Sequence, residues 1–115
     1  GTFLKERNPE CKIVAVEPKN SAALLGREPG LHQIQGIGDG FVPDVLDVNL
    51  VDMVFTVTDE EAIETTRRLS RREGLLVGTS SGANVFAALH MDNGRNRVVT
   101  VLPDRAERYF STALL

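Results

Sequence analysis

A run of hydroxyl-bearing residues stands where an apolar segment meets the start of a predicted helix. Residues 75–77 are apolar, Gly78 follows as a turn residue, and Thr79, Ser80 and Ser81 come next. The first N–H groups of a helix lack partners within it and the helix dipole is positive there, so this junction suits an anion or a small polar cofactor. The same residue types also serve as ordinary helix N-caps. Both interpretations, a ligand site and a plain cap, stay open on local chemistry.

Strands and helices alternate along the chain. Residues 12–17 are rich in Ile and Val and end at Pro18, and residues 53–57, 75–77 and 98–102 form three further apolar runs. Strands that read as continuous apolar runs are typical of a parallel sheet covered on both faces. Thr58 and Glu61 have the spacing of a capping box, and Gly74 is placed to end that helix, while residues 81–91 predict another. We therefore predict an α/β fold: a three-layer, Rossmann-like parallel sheet of four strands with flanking helices.

Between the first two strands lies a glycine-rich stretch, residues 26–43. Residues 26–40 carry five glycines and Pro29, which favours a loop over a regular element. The spacing Gly36-Ile37-Gly38-Asp39-Gly40 is not the G-x-G-x-x-G of a dinucleotide-binding turn, and Pro43 stands where a long helix would begin. By themselves, the glycines indicate a flexible loop in which they permit tight turns.

Four segments in register resemble one family. They are KIVAVEP at 12–18, HQIQGIGDGFVP at 32–43, EGLLVGTSSGA at 73–83 and VLPDRAERYFST at 101–112. These segments are similar to those of cysteine synthases (O-acetylserine sulfhydrylases), in the group of fold type II enzymes that includes cystathionine β-synthase and uses pyridoxal 5′-phosphate (PLP). The resemblance covers nearly the whole chain and implies the C-terminal third or so of such an enzyme. We expect residues 1–115 to form one segment of its catalytic domain.

The resemblance also implies site residues. Ser80 matches the serine that hydrogen-bonds the pyridine nitrogen of PLP, and Pro103 and Asp104 match positions near the same ring edge. Loop 26–43 is implied to border the active site. The implied contacts are Gly36 and Ile37 with the cofactor, and Gln35, Gly38 and Asp39 with the substrate. Many relatives have alanine in place of Asp39, so we hypothesise that its carboxylate alters the preference for the sulfur donor.

A neutral hydroxyl on the pyridine nitrogen cannot hold that nitrogen protonated as a carboxylate would, which suits β-elimination. The implied activity is a β-replacement in cysteine biosynthesis, a transferase reaction in which O-acetyl-L-serine loses acetate and gains sulfide to form L-cysteine. Cystathionine β-synthase and serine or threonine dehydratases share the scaffold and are alternatives. A non-catalytic fragment or interaction module is an alternative of another class.

PLP enzymes of this kind hold the cofactor on a Schiff-base lysine. The chain has only Lys5, Lys12 and Lys19, and none lies in the sequence context of the family's lysine. We therefore assign no catalytic residue to this chain and expect it to be inactive alone, with PLP binding that is weak at best. His32 and His90 have no second ligand at metal-binding spacing, so no metal site is predicted.

The composition of the chain argues against some classes of binding partner. The net charge of −3 argues against a nucleic-acid or anionic-membrane surface, and Cys11, the single cysteine, allows no internal disulfide. With neither a signal peptide nor an apolar run of membrane length in the sequence, we expect a cytoplasmic protein. The resemblance implies amino-acid and sulfide substrates, a homodimer, and binding to serine acetyltransferase.

Overall fold

The computed structural model of the protein describes residues 1–26, 30–34 and 36–109, with the backbone alone at 108 and 109. The regular elements, in chain order, are helix α1 at Thr2–Arg7, strand β1 at Val14–Pro18, strand β2 at Met53–Val57, helix α2 at Asp59–Glu73 and helix α3 at Thr79–Met91. Short 3-10 turns occur at Lys19–Ser21, Ala23–Leu25, Val48–Leu50 and Ala106–Tyr109.

The two strands pair side by side and run parallel. Their register sets Val14 opposite Met53 at one end and Pro18 opposite Val57 at the other. Pro18 has no N–H to give to a ladder, which explains why the strand ends there. Because the strands are parallel, Pro18 and Val57 share the carboxyl edge of the sheet. Both strands were predicted from the sequence and are confirmed.

Helix α2 begins and ends as its sequence predicts. Glu61 N–H donates to Thr58 Oγ1 over 3.2 Å, and Thr58 N–H donates to Glu61 Oε2 over 2.8 Å. This reciprocal capping box satisfies two N–H groups that the helix itself cannot. At the other end Gly74 has φ +69°, the left-handed conformation that favours glycine at a helix C-terminus.

Helix α3 packs on both strands and against α2. Its first turns approach α2 so closely that a Cβ on Gly82 would collide with the carbonyl of Ala62 and the side chain of Thr66. The core at this junction is Ile34, Val57, Ala62 and Ala83, surrounded by the half-buried side chains of Val16, Ile37, Phe55 and Phe86. The glycine is therefore what allows the two helices to meet beside the end of β2.

Two of the four predicted strands are wrong. Val77 makes an isolated antiparallel bridge with Arg105, and residues 98–102 form no strand within the described part of the chain. A strand exists only where a neighbouring backbone pairs with it, and here Val99 is 83% exposed and Val101 is 66% exposed. The apolar pattern indicated burial but could not indicate a partner. The α/β class, with a parallel sheet and flanking helices, is confirmed.

Candidate functional site

The hydroxyl-rich junction lies at the carboxyl edge of the sheet. Helix α2 starts directly after Val57, and Gly82 seats the first turns of α3 against the first turns of α2. Ser80, in that first turn of α3, is therefore carried to the same edge. In open α/β sheets, ligands bind outside the carboxyl ends of the strands. The fold thus places the junction where a ligand is expected.

Helix α3 begins at Thr79, two residues earlier than predicted, and its N-cap is Gly78, which offers no side-chain cap. The plain-cap interpretation of the hydroxyls is therefore wrong. Thr79 Oγ1 and Ser81 Oγ are buried and have no hydrogen-bond partner among the residues that the structure describes, and Ser80 is 4% exposed. A buried hydroxyl without a partner costs about 1–3 kcal/mol. Such groups at a helix N-terminus form a polar surface that a ligand can satisfy.

A backbone hydrogen bond brings the predicted residues of the C-terminal segment to this junction. Gly78 N–H donates to the carbonyl oxygen of Asp104 over 2.9 Å, and Ala106 N–H donates to that of Leu76 over 3.1 Å. A cleft of about 480 Å³ opens beside the pair, lined by Val77, Leu102, Pro103, Asp104, Arg105 and Glu107. The structure therefore brings Asp104, together with its neighbour Pro103, next to Gly78, which lies two residues before Ser80.

The glycine loop reaches the same edge from the other strand. Gly36 and Gly38 have φ of +88° and +70°, the left-handed region that glycine adopts without strain. A Cβ on Gly38 would meet the ring of Pro18, so this residue lies against the end of β1. Ile37 packs against the core cluster that contains Ala83 of α3. Asp39 is exposed.

Part of the predicted site lies outside the described residues. This applies to Gln35, to residues 27–29 of loop 26–43, and to residues 110–112 of the C-terminal motif. Of the other predicted site residues, Asp104 is bonded through its carbonyl to Gly78, two residues before Ser80, and Gly36, Ile37, Gly38 and Asp39 follow one another on the loop.

Two residues that the sequence did not single out for the site hold this loop. Ser21 Oγ and His32 Nε2 each lie 3.0 Å from the carbonyl oxygen of Gly38. Ser21 is 17 residues away from Gly38 along the chain, so no local pattern could have indicated the contact. His32 lies in the stretch 32–43 but has no partner residue at a diagnostic spacing.

Two of the three lysines lie at the opposite end of the sheet from this edge. Lys5 Nζ donates to Asp52 Oδ2 over 2.7 Å, and Asp52 also accepts the N–H of Ile13, just before the two strands begin. A five-residue strand separates that end from the carboxyl edge by roughly 15 Å. The hydrogen bond from Lys5, followed by that from Ile13, holds the pKa of Asp52 below its ordinary value of 3.8. Lys12 lies beside the same end of the sheet, and Lys19 is exposed after Pro18.

Within the described residues, no helix has the length and apolar character needed to cross a membrane. Among those same residues, no cluster of three or more His, Cys, Asp or Glu side chains could hold a metal ion.

The chain is similar in sequence and in structure to several known proteins. Cysteine synthase from Staphylococcus aureus is 44% identical over 117 residues, a match that covers 99% of this chain and 38% of that protein. The crystal structure of cysteine synthase from Entamoeba histolytica superposes with a TM-score of 0.94 at 38% identity, covering 98% of this chain and 35% of that one. For the O-acetylserine dependent cystathionine β-synthase from Helicobacter pylori, the TM-score is 0.84 at 42% identity, covering 98% and 38%.

The chain thus spans well under half the length of these relatives. The structural similarity confirms the fold type II scaffold of PLP enzymes. The sequence profile of pyridoxal-phosphate dependent enzymes matches residues 1–104, which is most of the chain. This chain therefore belongs to the family of pyridoxal-phosphate dependent enzymes.

Proposed function

We propose that the chain supplies the pyridine side of a PLP site in an enzyme that forms L-cysteine from O-acetyl-L-serine and sulfide. The observation that carries the proposal is the start of α3, where Ser80 lies between two buried hydroxyls that have no partner within the described part of the chain. The cysteine synthases among the relatives support the reaction class. The lysine that binds the cofactor is proposed to lie outside these 115 residues.

The residues present fit the cofactor. Ser80 offers a neutral hydroxyl, and the uncapped N-terminus of α3 presents backbone donors with a partial positive charge. A carboxylate in the same position would hold a pyridine nitrogen protonated, whereas a hydroxyl leaves it neutral. Ser80 is therefore the residue we assign to the pyridine nitrogen. Asp104, whose carbonyl accepts the N–H of Gly78, and its neighbour Pro103 would lie near the same ring edge.

When bound, PLP supplies the electron sink that permits loss of the α proton and departure of the β substituent. The residues of this chain would orient the cofactor and enclose the ligand. Ser80 would hold the ring by one hydrogen bond, and Gly36 and Gly38, which lack side chains, would let the backbone of the loop approach the ligand closely. We assign the movement of the α proton to a lysine outside this chain, because none of Lys5, Lys12 and Lys19 lies in the sequence context of the family's lysine.

The location, oligomeric state and partners of the enzyme are part of the same proposal. We propose a cytoplasmic homodimer that uses an amino-acid substrate and sulfide, and that also binds serine acetyltransferase. The resemblance to cysteine synthases supports each of these points.

A chimera tests the proposed function. The matched stretch of the Staphylococcus aureus cysteine synthase is replaced by this chain, so that the rest of that enzyme supplies the missing parts. We expect bound PLP to give a near-visible absorbance band and the chimera to form cysteine from O-acetylserine and sulfide. The 115-residue chain alone should show neither. A chimera that folds, judged by circular dichroism and elution volume, yet has no band would contradict the assignment.

A second candidate is replacement with a larger thiol, as the name of the Helicobacter pylori relative implies for that protein. Asp39 bears on the choice, because its exposed carboxylate lies on the loop that we assign to the substrate. A carboxylate repels an anionic donor, with an effect of only a few-fold at an exposed site. Rates with sulfide and homocysteine, measured for the chimera and its Asp39→Asn variant, separate the candidates. An unchanged ratio of the two rates would remove Asp39 from donor selection.

A further inference from the structure

One carbonyl group in the glycine loop is held by two side chains from different segments. The oxygen of Gly38 accepts a hydrogen bond from Ser21 Oγ over 3.0 Å and lies 3.0 Å from His32 Nε2. Ser21 is 1% exposed and lies in the turn directly after β1, while His32 is half-buried in the loop itself. The peptide between Gly38 and Asp39 is therefore tied to the end of the sheet.

The ring of His32 is fixed at both of its nitrogens. Ile34 N–H donates to His32 Nδ1 over 3.2 Å, so Nδ1 must present its lone pair. A carbonyl oxygen only accepts, so Nε2 must carry the proton that is donated to Gly38. These two bonds together select the neutral Nε2–H tautomer. His32 thus bridges the buried Ile34 and the glycine turn.

The anchored carbonyl determines where the next N–H points. In a planar trans peptide the carbonyl and the N–H point in opposite directions, so the N–H of Asp39 is directed away from Ser21 and His32. No hydrogen bond from this N–H is found within residues 1–26, 30–34 and 36–109. Gly38 itself has φ +70°, and a Cβ there would meet Pro18 and His32. The turn is therefore fixed by contacts on one side and open on the other.

We infer that His32 and Ser21 are positioning residues that act through the Gly38 carbonyl to present the Asp39 N–H to an oxygen atom of the bound amino-acid ligand. The inference rests on the proposed function, because it takes the glycine loop as the substrate loop. Neither residue touches the reacting atoms. Their effect is to keep one backbone donor in place before the ligand arrives, which reduces the ordering that binding requires.

Two substitutions of His32 separate its two bonds. In Gln the side-chain amide nitrogen lies close to the place of Nε2, so His32→Gln keeps a donor for Gly38. In Asn the side-chain oxygen lies close to the place of Nδ1, so His32→Asn keeps the acceptor for Ile34 and loses the bond to Gly38. Gln and Asn carry the same amide group, so the two variants of His32 differ in which of its two bonds they keep. Ser21→Ala removes the other side-chain donor to the Gly38 carbonyl.

In the chimera we expect His32→Asn and Ser21→Ala each to raise KM for O-acetylserine about fivefold, the effect of one neutral hydrogen bond. We expect His32→Gln to stay within about twofold and the PLP absorbance of all three variants to be unchanged, since the anchors act on the substrate loop. Equal effects of Asn and Gln, or a loss of the PLP band in step with KM, would overturn the inference.

The tautomer gives a readout that does not depend on activity. Long-range ¹⁵N–¹H correlation spectra of the chimera should show His32 protonated at Nε2. His90 is the internal reference, because its Nδ1 lies 2.8 Å from the carbonyl oxygen of Phe86 and must be the protonated nitrogen. A His32 ring protonated at Nδ1 would overturn the anchoring itself. A chimera without activity but with the expected tautomers would reject the proposed function and the ligand role while leaving the anchoring established.

Discussion

Gly78 and Asp104 are joined by a backbone hydrogen bond of 2.9 Å, from the N–H of Gly78 to the carbonyl oxygen of Asp104. The bond uses backbone groups only, so it depends on neither side chain. It connects the residue that caps α3 to the turn that contains Pro103. The start of α3 is therefore joined to this turn through backbone groups, so the side chain of Ser80 can be changed without removing that bond.

Ser80→Ala should lower kcat/KM for cysteine formation by the chimera about tenfold. Loss of one hydrogen bond from a buried group to the cofactor costs about 1.4 kcal/mol, which is the equivalent of that factor. Ser70→Ala, a serine on α2, serves as the control and should change the rate little. Steady-state kinetics at saturating PLP make the measurement, and similar losses in the two variants would argue against a cofactor contact at Ser80.

Gly82→Ala should destabilise the chain by about 1–3 kcal/mol, because the added methyl overpacks the contact with α2. The methyl would meet the Thr66 side chain and the Ala62 carbonyl. Gly94→Ala is the control: it has open space around it but φ +73°, so its cost of about 1 kcal/mol is one of backbone strain. Urea unfolding gives the free energies.

A second substitution tests whether Gly82→Ala lowers the stability through its contact with α2. Thr66→Ala removes one of the atoms that the methyl of Gly82→Ala would meet, so the double variant should recover part of the stability. The effects of Thr66→Ala and Gly94→Ala on the free energy of unfolding should be additive. Additivity in both pairs would mean that the two helices do not meet at Gly82 as described.

Asp52→Asn should destabilise the chain at neutral pH and lose this effect in acid. The pKa of Asp52 is lowered in the folded state by the hydrogen bonds from Lys5 and Ile13. A lowered pKa stabilises the fold above the unfolded-state value and stops doing so as the pH falls through the folded-state value. Unfolding free energies should therefore differ at pH 7 and converge as the pH falls below the ordinary value of 3.8. A gap between the two proteins that does not change with pH would contradict the charge effect.

Val99→Lys and Val101→Lys should reduce self-association of the 115-residue chain. These side chains are 83% and 66% exposed on an apolar run that has no strand partner among the described residues. Exposed apolar segments with free backbone promote association, and lysine opposes it. Val45→Lys is the control, since Val45 is 96% exposed but lies outside that run. Sedimentation velocity over a range of concentrations measures the effect, and equal changes for all three variants would indicate a general charge effect.

Local signals in the sequence predicted the local parts of the structure. The capping box of Thr58 and Glu61 and the terminating Gly74 involve residues a few positions apart, so the sequence alone contains both partners of each contact. The same holds for Pro18, which ends its strand by its own lack of an N–H. These elements were predicted correctly because nothing distant competes with them.

Long-range contacts could not be predicted in this way. The apolar run at 98–102 reads as a strand, but pairing depends on a neighbour that the pattern does not specify. The bonds from Ser21 and His32 to Gly38 arise only when β1 and the loop are brought together. The resemblance matched Ser80 to the serine at the pyridine nitrogen, and that role stays a prediction. The hydroxyls of Thr79 and Ser81, which have no hydrogen-bond partner among the described residues, become visible only in three dimensions.

The ring of Pro18 has two roles, because it ends β1 and also lies against Gly38. The last pair of the sheet and the glycine turn therefore share one support. Strand ends open by local fluctuation well below the temperature of global unfolding. Each such opening withdraws the support of the loop. Under the function proposed above, warming should therefore weaken substrate binding before the protein melts, and fraying of one strand end would set the upper working temperature.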